Sequence, residues 1–287
     1  MRMTVVAPSP ALAPHVRRFT LVEADEESTR VLVPEPGVVL GFRYAGRARS
    51  IEAGASTELP DFVITGLRTS ARRMCTSAGG GIVIAVFHEA SAAAFFSEPL
   101  HELFGASRGL DAFVHASELA RLRHQLAESG DAGARVRLVE RFLLARQRPS
   151  STDRLVRAAV AALRASGGSL RVGELARQLD IGVDRLEKRF RQSVGASPKQ
   201  LGSLYRLRHA IDLYRSGRNL TESALEAGYS DQSHFIRGFR AAMGEAPRRF
   251  LESAAYCGSS ERTSASAGDE WLAAPSGALE SPRAAVR

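Results

Sequence analysis

The sequence predicts an α+β protein: a small N-terminal β-sandwich or barrel with two following helices, then an all-α C-terminal domain of two helix-turn-helix units joined by a long linker helix. Three observations carry this expectation. Between about residues 16 and 88, short β-branched or aromatic runs alternate with turns bearing Gly and Pro. From residue 91 the apolar residues adopt helical spacing. Residues 186–198 are repeated at 235–247 with a constant offset.

In the first region VRRFTLV, RVLVPEP, VVLGFRY, FVITGL and GIVIAVF read as strands, and GGGIVIAVF (79–87) has the run of a buried one. Spacing of this type suits a small sandwich or barrel. In SELARLRHQLAES (117–129), Leu119, Leu122 and Leu126 fall at helical spacing. RVRLVERFLLARQR (135–148) places Leu138, Val139, Phe142 and Leu143 on one face. These faces either cover the β-core or pair across a homodimer. RPSST (148–152) reads as a linker, because Pro149 cannot continue a helix and Ser or Thr can cap the next one.

In the repeat, Leu186, Phe190, Val194, Gly195 and Pro198 fall on Phe235, Phe239, Met243, Gly244 and Pro247. Upstream of each lies a short helical stretch centred on a small residue, Ala176 or Ala224, which lets the next helix cross closely. The second turn is one residue longer. There Gly228 suits a left-handed residue and Ser230 is placed to cap the following helix. In the first copy Gly182 stands at the cap. Each unit is thus helix–turn–helix with a glycine stop and a proline. Between the units runs SPKQLGSLYRLRHAIDLYRSG (197–217), with Ser197 as N-cap and Pro198 at the first helical position. Leu201, Leu204, Tyr205, Arg208 and Ile211 lie on or beside one stripe of it. Such a helix spans roughly 28 Å, and successive major grooves on one face of B-DNA are about 34 Å apart.

The second helix of the second unit has an apolar back, Phe235, Phe239 and Met243, and a hydrogen-bonding front. On that front Arg237 suits a bidentate pair with guanine, Gln232 suits adenine, and Ser233 and His234 bond several groups. Arg240 lies further along, where phosphate is the better partner. In the first unit, Asp184, Arg185, Lys188 and Arg191 are on the outer side of DRLEKRFRQSV, with Glu187 at its edge. The basic residues suit phosphate or guanine. Asp184 and Glu187 repel phosphate unless they accept from a cytosine amino group. The implied partner is double-stranded DNA, contacted twice by one monomer. The formal charge of +8, from 39 Lys and Arg against 31 Asp and Glu, suggests a polyanion partner only where it clusters on a surface.

Other chemistry finds little support. The two cysteines, Cys75 and Cys257, are far apart and form no CxxC pair, which argues against a zinc site or disulfide framework. Cys75 has Arg72 and Arg73 beside it, but a structural thiol is favoured. His15, His88, His101, His115 and His124 are scattered, so no metal is expected. His88–Glu89 is the best single candidate and reads more simply as a satisfied pair at a strand end. GGGIVI lacks the lysine of a phosphate loop. No cofactor, and no enzymatic activity, is expected. No export signal and no bilayer-spanning run is read, which points to a cytoplasmic, nucleoid-associated protein with no membrane partner.

LARQLDIGVDRLEKRFRQSVGASPKQL and ALEAGYSDQSHFIRGFRAAMGEAPRRF carry a resemblance. The segment from about 169 to 251 resembles the C-terminal domain of the AraC/XylS family of bacterial transcription regulators. The resemblance implies two helix-turn-helix units joined by a long helix. It also implies contacts from Gln232, Ser233, His234 and Arg237 in the second unit and base reading by Asp184, Glu187 and Lys188 in the first. The sequence departs from the family pattern at Gly182, usually Ser or Thr, and at Ser223, usually apolar. SPALAPHVRRF and VPEPGVVLGF resemble, more weakly, the sensor half of one group of these regulators.

The expected organisation is therefore 1–150 for effector binding or dimerisation, 151–252 for DNA binding, and 253–287 as a disordered tail rich in Ser, Ala, Gly and Pro. Further partners implied are a small-molecule effector, a second copy of the chain and, for an activator, RNA polymerase. The alternative is an N-terminal domain that is an enzyme, or a pure interaction module, tethered to DNA.

Overall fold

The computed structural model describes residues 1–52, 54–96, 98–148 and 153–252. The expected tail, and all but Arg148 of the expected linker, lie outside the described residues. The fold is α+β, with a β-rich half followed by a helical half.

Among the described residues ten strands are present where the sequence pattern suggested five: β1 (Arg2–Val6), β2 (Val16–Ala24), β3 (Ser28–Leu32), β4 (Val39–Ala45), β5 (Ala48–Glu52), β6 (Ala55–Glu58), β7 (Phe62–Thr65), β8 (Arg72–Thr76), β9 (Gly80–Phe87) and β10 (Ser107–Gly109). They form two antiparallel sheets, ordered β1-β2-β9-β4-β7-β10 and β3-β8-β5-β6. The missed strands are the edges β1, β6 and β10 and the two inner strands of the smaller sheet, β5 and β8, whose residues are mostly polar. β6, for instance, is exposed along its whole length, so no apolar alternation marks it. GIVIAVF sits at the centre, between β2 and β4, as its apolar run implied.

Phe19, Leu21, Leu40, Phe42, Ile64, Val83, Ala85 and Phe87 point to one face of the larger sheet. That face is covered by three short 3-10 turns (Ala92–Ala94, Leu100–Leu103, Leu110–Ala112) and by α1 (Ala116–Glu128) and α2 (Ala132–Leu144). Leu119, Leu122 and Leu126 of α1 are buried there, with Val136, Val139, Phe142 and Leu143 of α2. Leu138 packs only partly, and Val136 takes the deeper place. The apolar faces of both helices therefore cover the β-core. On the opposite face Arg72 of β8 donates to Ser107 (2.7 Å) and Thr65, joining the two sheets.

The helical half consists of α3 (Arg154–Ala165), α4 (Val172–Gln178), α5 (Val183–Val194), α6 (Pro198–Arg215), α7 (Leu220–Glu226), α8 (Gln232–Met243) and α9 (Pro247–Glu252). Its core runs through Val156, Leu163, Leu186, Phe190, Leu204, Ala224, Phe235, Phe239 and Phe250. Helix α6 lies deep inside it. Leu201, Leu204, Tyr205 and Ile211 are buried as expected, but so are Gly202, Leu207, Ala210 and Leu213. Instead of one stripe, the helix buries nearly its whole girth.

Candidate nucleic-acid interface

The two units superimpose in their local chemistry. In the first turn the Ile181 N–H donates to the Ala176 carbonyl (3.1 Å); in the second the Tyr229 N–H donates to the Ala224 carbonyl (3.0 Å). The residue before each has positive φ, Asp180 at 50° and Gly228 at 82°. Asp tolerates that conformation better than most residues, so the first turn manages without glycine. Both second helices stop at a left-handed glycine, Gly195 or Gly244. The linker helix starts with the reciprocal capping pair of Ser197 and Gln200, followed by Pro198.

The start of α8 differs from expectation. Its N-cap is Asp231, whose carboxylate accepts from the His234 N–H at 2.7 Å. Ser230 instead donates to Asp231 (2.9 Å) and lies 3.1 Å from His234 Nδ1. The extra residue in the second turn moves the cap by one, and a carboxylate suits the positive end of the helix better than a hydroxyl. The His234 N–H and the Ser230 hydroxyl hold the Asp231 carboxyl below its usual range.

The aromatic back of α8 is a chain of edge-on rings. Tyr229–Phe235, Phe235–Phe239 and Phe239–Phe250 have centroid separations of 5.1, 5.6 and 5.6 Å. The opposite face presents Ser233, Arg237 and Arg240, all exposed, and Gln232 is exposed at the helix entry. His234 is half-buried, with its ring edge-on to Tyr229 at 5.3 Å. Ser233, Arg237 and Arg240 thus share one outward face, with His234 at its edge and Gln232 exposed at the entry of the helix. Ser223, which departs from the family pattern, is fully buried but satisfied: its hydroxyl donates to the Asn219 carbonyl at 2.8 Å.

On α5, Asp184, Arg185, Lys188 and Arg191 are exposed and Glu187 is half-buried. Arg191 Nη2 lies 3.2 Å from Glu187 Oε2 across one helical turn, so two of the expected contacts pair with each other. Gly182 caps α5 without a side-chain bond. Arg189, not singled out from the sequence, makes a two-pronged bond to Asp153 (2.7 Å each), the N-cap of α3. That pair fixes the roll of α5 on α3.

The β-rich half contributes residues to the same assembly. Glu89, side chain 1% exposed, accepts from Arg17 (2.9 Å) and from Tyr205 on α6 (2.7 Å), and it bonds Arg164 on α3. Burial alone would raise its pKa. Arg17, Arg164 and the hydrogen bonds more than offset this and hold the carboxyl below its usual value. Glu35 accepts from Arg18 (2.8 Å) and lies 3.5 Å from Arg208 on α6, which also donates to the Pro34 carbonyl (2.7 Å). Burial again acts upward, but the Arg208, Arg18 and Arg17 charges lower Glu35 to about 2. The Glu89 carboxylate of the His88–Glu89 pair is thus taken up by Arg17, Arg164 and Tyr205. Glu89 is half of an ion-pair cluster joining the two halves of the chain. The sequence held one hint of this, a charged Arg208 beside the apolar stripe of the linker helix. Cys75 is buried on β8 with the Arg49 guanidinium 3.7 Å from its sulfur, while the neighbouring Arg72 reaches instead to Ser107. Among the described residues no cluster of His, Cys, Asp and Glu could hold a metal ion, and no helix is long and apolar enough to cross a membrane.

A family model described as "Helix-turn-helix domain" matches residues 175–253, and one described as "Domain of unknown function (DUF6597)" matches residues 4–107. No curated protein matches the chain. Among solved structures, the chain is similar to an apo variant of ToxT from Vibrio cholerae at 13% identity and TM-score 0.47, over 81% of this chain and 96% of that one. Wild-type ToxT bound to an unsaturated fatty acid is similar at 14% identity and TM-score 0.44, over 81% and 94%. The C-terminal domain of AraT, a response regulator from Geobacillus stearothermophilus, is similar at 23% identity and TM-score 0.35, over 39% and 96%. With two matching helix-turn-helix units and the family model that covers them, residues 175–253 form a helix-turn-helix domain of the AraC type, as DNA-binding transcription regulators carry.

Proposed function

We propose that the chain binds a specific operator as a monomer, placing α5 and α8 in successive major grooves. The DNA-binding unit is residues 151–252, and residues 1–150 modulate it. The observation that supports this best is the outward face of α8. Ser233, Arg237 and Arg240 stand together, with His234 at the edge and Gln232 at the entry, on a helix whose opposite side is fixed by Phe235, Phe239 and Met243. Arg237 and Gln232 read bases, Ser233 and His234 adapt to several groups, and Arg240 holds phosphate. On α5, Lys188 and Arg185 contact the DNA. Glu187 and Asp184 select against sequences that offer them no amino group, with Arg191 shared between Glu187 and the backbone.

The 18-residue helix α6 separates the units by about 27 Å, short of the groove repeat by an amount the tilt of the helices can supply. The β-rich half acts as a cytoplasmic sensor or dimerisation module rather than as an enzyme. An effector bound there would reach the DNA-binding unit through Glu89 and Glu35. An activator of this kind would also touch RNA polymerase. Selection of genomic fragments by the purified full-length protein, followed by titration of the winner against random DNA over a range of salt, tests the reading. Specific binding at least about a thousandfold tighter than random is expected; equal, steeply salt-dependent affinities would reject it.

A further inference from the structure

We propose that Glu89 is a positioning residue for DNA recognition, fixing the separation and angle of α5 and α8 by gripping α6, which joins their two units, and α3, which supports α5. This rests on the reading of α5 and α8 as the DNA-contacting helices.

Glu89 follows the central strand β9 and precedes Ala90, whose φ of 64° makes a sharp corner unusual for a residue with a side chain. The corner delivers the carboxylate into the boundary between the two halves, where Ala90 itself joins the core of the helical half. Tyr205 lies near the middle of α6, the helix that separates the two units, and donates to Glu89 at 2.7 Å. Arg164 lies on α3, which packs on α6 and is tied to α5 through Asp153 and Arg189. One carboxylate therefore holds both the spacer helix and the support of the first recognition helix. Arg17 anchors it from β2.

Two further contacts reach the far ends of both recognition helices. At the end of α5, Gly195 lies so close to the turn Leu100–Leu103 that an added Cβ would stand 2.8 Å from the Leu100 carbonyl oxygen. In the last turn of α8, the Ala242 carbonyl accepts from the Ala71 N–H at 2.6 Å. The β-rich half thus spans both units, and a hydrogen-bonded carboxylate is the directional part of that brace. Apolar contacts such as Leu67 and Ala90 permit sliding; a carboxylate shared by Arg17, Arg164 and Tyr205 does not, because displacement leaves buried polar groups unpaired.

The test uses the full-length chain, as wild type, Glu89→Gln and the milder Tyr205→Phe, which removes one hydroxyl. Affinity is measured for the selected operator and for versions with one base pair inserted or deleted between the two contacted grooves. The wild type discriminates against the altered spacing, and both variants narrow that ratio by about fivefold or more. Faster hydrogen exchange in α3 and α6, measured without DNA, accompanies it. A ratio that stays unchanged in a folded Tyr205→Phe chain whose α6 exchanges faster overturns the assignment, because loosening alone would then leave the spacing untouched. Unchanged exchange and an unchanged ratio in both variants overturn it as well. A wild-type chain that selects no fragment overturns the DNA reading itself, and this assignment with it.

Discussion

The hydroxyl of Tyr205, on the helix that separates the two helix-turn-helix units, donates at 2.7 Å to the carboxylate of Glu89, which follows the central strand of the β-rich half. The same carboxylate bonds Arg164 and Arg17. The β-rich half and the helical half are thereby joined at α6, the helix between the two helix-turn-helix units.

Arg237 is exposed on the front of α8, one turn beyond Ser233. Arg237→Ala is expected to lose about 1–3 kcal/mol of binding to the selected operator, with random DNA little affected. Fluorescence anisotropy on both duplexes measures this, and equal losses on the two would assign Arg237 to phosphate.

Arg240, further along the same face, is expected at the backbone. Arg240→Ala weakens binding to every sequence, and the slope of log K against log salt falls by about one unit. A slope identical to that of the wild type places Arg240 away from phosphate.

Phe239 is fully buried between Phe235 and Phe250. Phe239→Ala opens the aromatic chain and is expected to cost about 3–5 kcal/mol of stability. Asp231→Ala removes the cap of α8 and costs about 1 kcal/mol. Urea denaturation separates the two effects; a cost for Asp231→Ala as large as that for Phe239→Ala would show that the cap does more than end a helix.

Glu35 carries the clearest pH dependence. Its folded pKa, about 2, lies below the ordinary 4.5, so the carboxylate contributes stability above pH 4.5 that is lost as the pH falls towards 2. The shift corresponds to about 3 kcal/mol. Glu89 is shifted in the same direction. Acid unfolding of Glu35→Gln should therefore be flatter between about pH 4.5 and 2 than that of the wild type, and superimposable acid transitions would contradict the pairing with Arg18 and Arg208.

Much of this was legible in the sequence because local rules and tertiary packing agree. Gly195, Gly244, Ser197 and Pro198 stand at the stops and starts their chemistry demands, and Phe235, Phe239 and Met243 are buried at the spacing that predicts it. The central strand GIVIAVF was readable from its apolar run. Strands such as β5 and β6 were not, because they are largely polar and short and depend on a neighbour for pairing. The cap of α8 was misplaced by one residue, since Ser230 and Asp231 are both capable caps and only the turn geometry decides between them. Of the joint between the halves only Arg208, beside the apolar stripe of α6, gave a hint, because Glu35, Glu89 and Arg164 lie far apart in sequence and each looks like a surface charge until the fold brings it to the boundary.

Hydroxyl-radical footprinting of the selected operator tests two-groove reading by a single chain most directly. Two protected stretches on one face of the duplex, about one helical turn apart, are expected, with Arg237→Ala weakening protection in the stretch that α8 covers. A single protected stretch in the wild type, or two that appear only as a second copy of the chain binds, would contradict it.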